Sequence, residues 1–156
     1  MPRSDSVPDA DAPRKVDSGP TFEVWQLRGS SIRVDWSHAN VVALTVVGYG
    51  HAAFGPPWLR RATEALRTSE RLTLLIDFWD MPSYDSQLRV SMTEWALEHR
   101  SRLEPTHMLA RSPIVRMGVA VANLALGGLI KAYALRANYD AAVKQLNPPA
   151  KPARRR

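Results

Sequence analysis

The chain of 156 residues contains no cysteine, which excludes disulfides, thiolate metal sites and cysteine nucleophiles. It also lacks a long apolar run. The longest, MGVAVANLALGGLI over 117–130, has 14 residues and is interrupted by Asn123 and a glycine pair. A bilayer span needs about 20, so a buried helix is expected and the chain is read as not membrane-spanning. The four histidines, His38, His51, His99 and His107, show no ligand spacing such as H-E-x-x-H. Gly48-Tyr49-Gly50-His51 lacks the third glycine of a dinucleotide fingerprint, and no P-loop lysine accompanies it; it reads as a flexible exit from a strand. No metal and no cofactor are expected. The first twenty residues have almost no large apolar side chain and are broken by proline, unlike a secretory leader.

What is present begins with charge. The formal net charge is +6. Residues 1–20 hold three basic and four acidic side chains, whereas 147–156 hold Lys151, Arg154, Arg155 and Arg156 and no acid. The basic character is thus largely a property of the C-terminal tail. A KPARRR end can touch acidic lipid or nucleic acid, but the plainer reading is a solvated tail, and no specific nucleic-acid partner is expected. Composition divides the chain into a disordered N-terminal tail, 1–20, one domain over 21–147, and a disordered basic tail, 148–156. A cytoplasmic location is expected.

Inside the domain the pattern changes once. Phe22–Leu27 and Ile32–Trp36 alternate, and Val41–Val47 is a continuous β-branched run, which suits a central strand. After Gly48 the spacing becomes helical. Pro56 and Pro57 open a helix carrying Trp58, Leu59, Ala62, Ala65 and Leu66. A buried strand follows over 72–78, then a helix over about 84–104 with Tyr84, Leu88, Met92 and Trp95 on one stripe. His107–Ala110 is a short strand, and Pro113 starts an apolar helix that Gly127-Gly128 should end. Lys131–Leu135 reads as a last strand, and Asn138 as the N-cap of a helix through Leu146. The order βββαβαβαβα requires an α/β fold: a mixed, mostly parallel sheet with an N-terminal antiparallel edge and helices packed on it.

The segments LLIDFWDMPSYDSQLR, Trp95-x3-His99-Arg100 and SPIVRMGVAVAN, set in this order of elements, resemble the STAS domain and its SpoIIAA-like relatives, a fold shared in outline with the SEC14 type. The resemblance covers about residues 21–146. It implies a non-catalytic regulatory module that docks another protein through the loop 77–86 and the helix after it. In the anti-sigma-factor antagonists of that family, the loop carries an Asp-Ser-Ser-Gly-Leu type motif with a phosphorylated serine. Asp85-Ser86-Gln87-Leu88 stands at that place here, so Ser86 is the matching residue. The second serine and the glycine are absent, and the loop is longer and more acidic.

The candidate partner-binding residues are therefore Asp77, Trp79, Asp80, Tyr84, Asp85 and Ser86. Ser86 is the phosphorylation candidate. Two readings of the helix start stay open, since Ser83, Asp85 or Ser86 can equally serve as its cap. Asp77, Asp80 and Asp85 could bind magnesium beside a substrate phosphate, but with no phosphate loop the chain is not read as an enzyme. Trp58, Phe54, Trp79 and Tyr84 are the aromatics nearest the loop side. A second function class is a carrier of a small apolar, lipid-like ligand, held between the sheet and a mobile 48–57 segment by Tyr49, Phe54 and Trp58. The helix 114–126, with Gly118, Ala120, Ala122 and Ala125, offers a surface for a homodimer or, more economically, for its own sheet.

Overall fold

A computed structural model describes residues 11–146. Seven strands lie in one sheet in chain order: β1 (Arg14–Ser18), β2 (Phe22–Leu27), β3 (Ser30–Asp35), β4 (Val41–Val47), β5 (Thr73–Asp80), β6 (Thr106–Ala110) and β7 (Ile130–Tyr133). The pairs β1–β2, β2–β3 and β3–β4 are antiparallel, and β4–β5, β5–β6 and β6–β7 are parallel. Each parallel step needs a crossover. The three are α1 (Gly55–Thr68), α2 (Ser86–His99) and α3 (Pro113–Ala125), and α4 (Arg136–Leu146) follows β7. This is the mixed α/β sheet with an antiparallel beginning that the sequence pattern requires.

Alternation along the strands decides where the helices sit. Leu44, Ile76 and Met108 are consecutive partners across β4, β5 and β6, and all are buried. They face α1, α2 and α3 through Trp58, Trp95 and Val119, which belong to the same apolar cluster. Asp77, Leu109 and Tyr133 are partners on the opposite face. There α4 packs, with the Tyr139 ring edge-on to Tyr133 at 5.8 Å. Covered on both faces, β6 is buried from end to end, its polar Thr106 and His107 included.

Three boundaries differ from the sequence reading. Arg14–Ser18, placed in the disordered tail, is an edge strand instead. Its single apolar residue, Val16, gave no signal; the strand is held by ladder bonds to β2, by Lys15 lying 3.5 Å from the buried Glu23 and by Lys15 over the Trp25 ring. The remaining tail calls, 1–10 and 148–156, lie outside the described residues. The helix expected to reach residue 104 ends at His99 in a 3₁₀ turn, Arg100–Arg102. The last helix begins at Arg136, so Asn138 lies inside it rather than capping it. The Tyr139 N–H already donates to the Leu135 carbonyl.

The end of α3 follows the expectation. Gly127 and Gly128 adopt φ of 62° and 85°, and the Gly128 and Gly127 N–H groups donate to Asn123 and Leu124. This paired closure leaves two successive left-handed residues, which glycine adopts at least cost.

Candidate functional site

The site lies where β5 runs out. Asp80 ends the strand, and the chain crosses 81–85 before α2 begins. The crossing is held from several sides. Its neighbour is the exit of β4, where Gly48 turns at φ 89°. Gly48 N–H donates to the Asp80 carbonyl at 2.9 Å, Gly50 N–H to Ser83 at 3.0 Å, and Asp85 N–H to Gly50 at 2.9 Å. Ser112 Oγ donates to the Pro82 carbonyl at 2.7 Å from the start of α3. Met81 is buried beneath. The 48–57 segment, expected to be mobile, is thus tied to the loop through Gly48 and Gly50 and continues into a 3₁₀ turn, Ala52–Phe54, and α1.

The six candidate side chains divide into four groups. Asp77 and Trp79 lie on the α4 face. The Asp77 carboxylate accepts from the Trp79 amide at 3.0 Å and from Arg136 at 2.9 and 3.2 Å. The Arg111 and Arg136 guanidiniums lie 5.0 and 5.4 Å from the half-buried Trp79 ring, within cation–π range. Asp80 faces Arg111 at 3.7 Å, with both side chains 60% exposed; such a pair contributes little in water.

Tyr84 turns the other way. Its hydroxyl lies against Gly118 of α3, where a Cβ would overlap it. Asp85 and Ser86 form the helix start. Asp85 is the N-cap, accepting from the Gln87 amide at 2.9 Å, so the open question of which residue caps α2 is answered by Asp85. Ser86 is the first residue of the helix and exposed. It stands beside helix-start N–H groups that favour negative charge.

The two aspartates at the strand end are each engaged by an arginine. Among the described residues no three of His, Asp and Glu come together to hold a metal, and no helix is long and apolar enough to cross a membrane. Arg111 and Arg136 are the site residues that the sequence reading missed. Arg136 lies 59 positions from Asp77, and no local spacing links the two.

A second feature lies below the loop, between α2, α3 and the sheet. It is a narrow apolar hollow of about 60 Å³, lined by Trp58, Ile76, Tyr84, Met92, Met108 and Val119 among others, with Arg89 and Thr93 as polar contributors. Of the three aromatics proposed for a ligand, Trp58 lines it. Phe54 is buried in the core and Tyr49 is exposed, and neither borders the hollow. The Trp58 indole N–H is buried without a hydrogen-bond partner among the described residues.

No protein-family model matches the sequence, and no curated protein matches it. Solved structures do. An uncharacterised protein with a SpoIIAA-like fold from Shewanella loihica is 16% identical, with a TM-score of 0.53 over 75% of this chain and 95% of that one. The anti-sigma factor antagonist SpoIIAA in its unphosphorylated form is 15% identical, with a TM-score of 0.54 over 77% and 99%. An anti-sigma factor antagonist from Mycobacterium paratuberculosis is 18% identical, with a TM-score of 0.51 over 74% and 95%. The fold of this chain is that of the SpoIIAA-like, STAS-type domains.

Proposed function

We propose that the chain is a non-catalytic regulatory module that binds another protein through the loop 77–86 and the first turn of α2. The observation that carries this reading is the division of labour at Asp85 and Ser86. Asp85 satisfies the helix start, which leaves the exposed Ser86 hydroxyl unneeded for the fold. If the sequence resemblance to the anti-sigma-factor antagonists extends to their loop, Ser86 is the residue that matches their phosphorylated serine. A phosphate on Ser86 would add nearly two negative charges beside Asp85 and Asp80 and repel an acidic face of a docked partner. Trp79, flanked by two arginines, supplies the aromatic anchor that interfaces favour.

Affinity capture from the producing cell, with wild-type, Ser86→Asp and Trp79→Ala baits, tests this. A protein held by wild type and released by both variants supports the docking surface. An unchanged set of captured proteins on all three baits refutes it.

The second reading, a carrier of a small apolar ligand, is favoured by the hollow between α2 and α3. Its walls are apolar, and it is bordered by a tryptophan whose N–H is unspent. Native mass spectrometry before and after denaturation separates the readings, since only the carrier releases a small molecule.

A further inference from the structure

Helix α3 is apolar on both sides, yet its own sheet covers only one. Val115, Val119 and Ala122 are buried inward. Ile114, Met117, Val121 and Leu124, spaced by three, four and three, are 56, 67, 47 and 84% exposed. That spacing forms one continuous stripe along the outer face. A helix apolar all round belongs in an apolar setting on both faces, and an exposed stripe of this kind marks an interaction surface.

The charge around it indicates what covers it. From Pro105 to Tyr139 there is no acidic residue; of the four cations in that stretch, Arg111 faces Asp80 and Lys131 and Arg136 lie on the α4 face, which leaves Arg116 beside the stripe. Two further arginines come from α2 and the 3₁₀ turn that follows it. Arg89 borders the hollow between α2 and α3, and the Arg100 guanidinium lies beside Gly127 at the end of α3. Arg116 is exposed on α3 itself. An apolar stripe with Arg116, Arg89 and Arg100 near it complements a surface that is apolar within and anionic at its boundary.

We infer that α3 is a membrane-surface contact, lying on an anionic bilayer with Ile114, Met117, Val121 and Leu124 in the acyl boundary and the surrounding arginines at the headgroups. Interfacial helices bind in this way, by buried apolar area together with attraction to anionic lipid. A second copy fits less well. It would bring like-charged edges together, and one stripe about 20 Å long and ~10 Å wide falls well short of the ~800 Å² per partner of a standard interface.

The test is sedimentation of the full chain with phosphatidylcholine vesicles, with and without about 30% phosphatidylglycerol. Wild type should bind only the anionic vesicles and release as salt rises from roughly 0.1 to 0.5 M. The paired variant Met117→Ser, Leu124→Ser alters two exposed positions and no charge, so circular dichroism should be unchanged. Its apparent affinity should fall roughly tenfold or more. Three outcomes overturn the inference. Wild type may fail to sediment with anionic vesicles. The paired variant could bind undiminished, which would assign binding to the basic C-terminal tail. Or wild type could form a dimer that the variant dissolves, which would make the occupant a second copy.

Discussion

One nitrogen of Arg136 reaches both carboxylate oxygens of Asp77, at 2.9 and 3.2 Å, and so ties α4 to the end of β5. The same guanidinium faces Asp140 at 3.7 Å and stands over Trp79. It therefore joins the last helix to the candidate docking loop.

Arg136→Ala should destabilise the domain modestly, by roughly 1 kcal/mol, because the arginine side chain is 41% exposed and water screens the pair. Asp77→Ala should cost more, about 1–3 kcal/mol, since the carboxylate is 18% exposed and the Trp79 amide loses its acceptor as well. Urea denaturation compares the two. An equal or reversed order would place the weight of the contact elsewhere.

At the start of α2, Asp85→Ala should cost about 1 kcal/mol, the usual worth of an N-cap, while Asp85→Ser should retain most of it. Ser86→Glu should leave stability unchanged or raise it by ~0.3–1 kcal/mol, because it adds negative charge at a helix N-terminus. Thermal melts of the three variants would show this, and a destabilised Ser86→Glu protein would mean that the hydroxyl is structural after all.

Gly118→Ala places a methyl group where the Tyr84 hydroxyl stands, and within 2.8 Å of its Cζ. The ring must move, at a cost of about 1–3 kcal/mol. In a Tyr84→Leu background the sign should reverse, with alanine gaining up to ~1 kcal/mol as the better helix former. A double-mutant cycle that shows no coupling would contradict this packing.

Burial holds His107 below its ordinary value, with Lys131 adding to the effect, and burial does the same to His51, assisted by Arg28. A histidine depressed in the fold takes up its proton more readily when unfolded, so the unfolded state gains as pH falls below about 6.5. Stability should be full above that pH and should decline from there toward the folded values. Melts at pH 7.5 and 5.5 should show a drop that shrinks in His107→Gln. A drop of undiminished size in that variant would remove His107 from the account.

The parallel half of the fold was legible because its signals are local. Leu74, Leu75 and Ile76 form an unbroken run, Pro113 opens a helix and Gly127-Gly128 closes it. The antiparallel edge was only half legible. Phe22–Asp35 alternates, but Arg14–Ser18 is stabilised by a partner strand and by Glu23, neither of which is written in its own residues. The loop could be located from the end of an apolar strand. Its arginines could not, since Arg111 and Arg136 reach it through the register of β6 and the turn after β7. Of the aromatics named for a ligand, only Trp58 lines the hollow, whose place depends on how α2 and α3 are spaced above the sheet.

The two margins of the sheet have a further consequence. One is β1, made of Arg14, Lys15, Val16, Asp17 and Ser18, with its register broken between Lys15 and Asp17. The other is β7, only four residues long and carrying Lys131. Short, charged or bulged margins are poor templates for an incoming extended chain. Strand addition, by a peptide ligand or by neighbours growing into a fibril, is thereby discouraged at both ends. A partner of this protein would have to recognise side chains on its loops and helices rather than borrow its backbone.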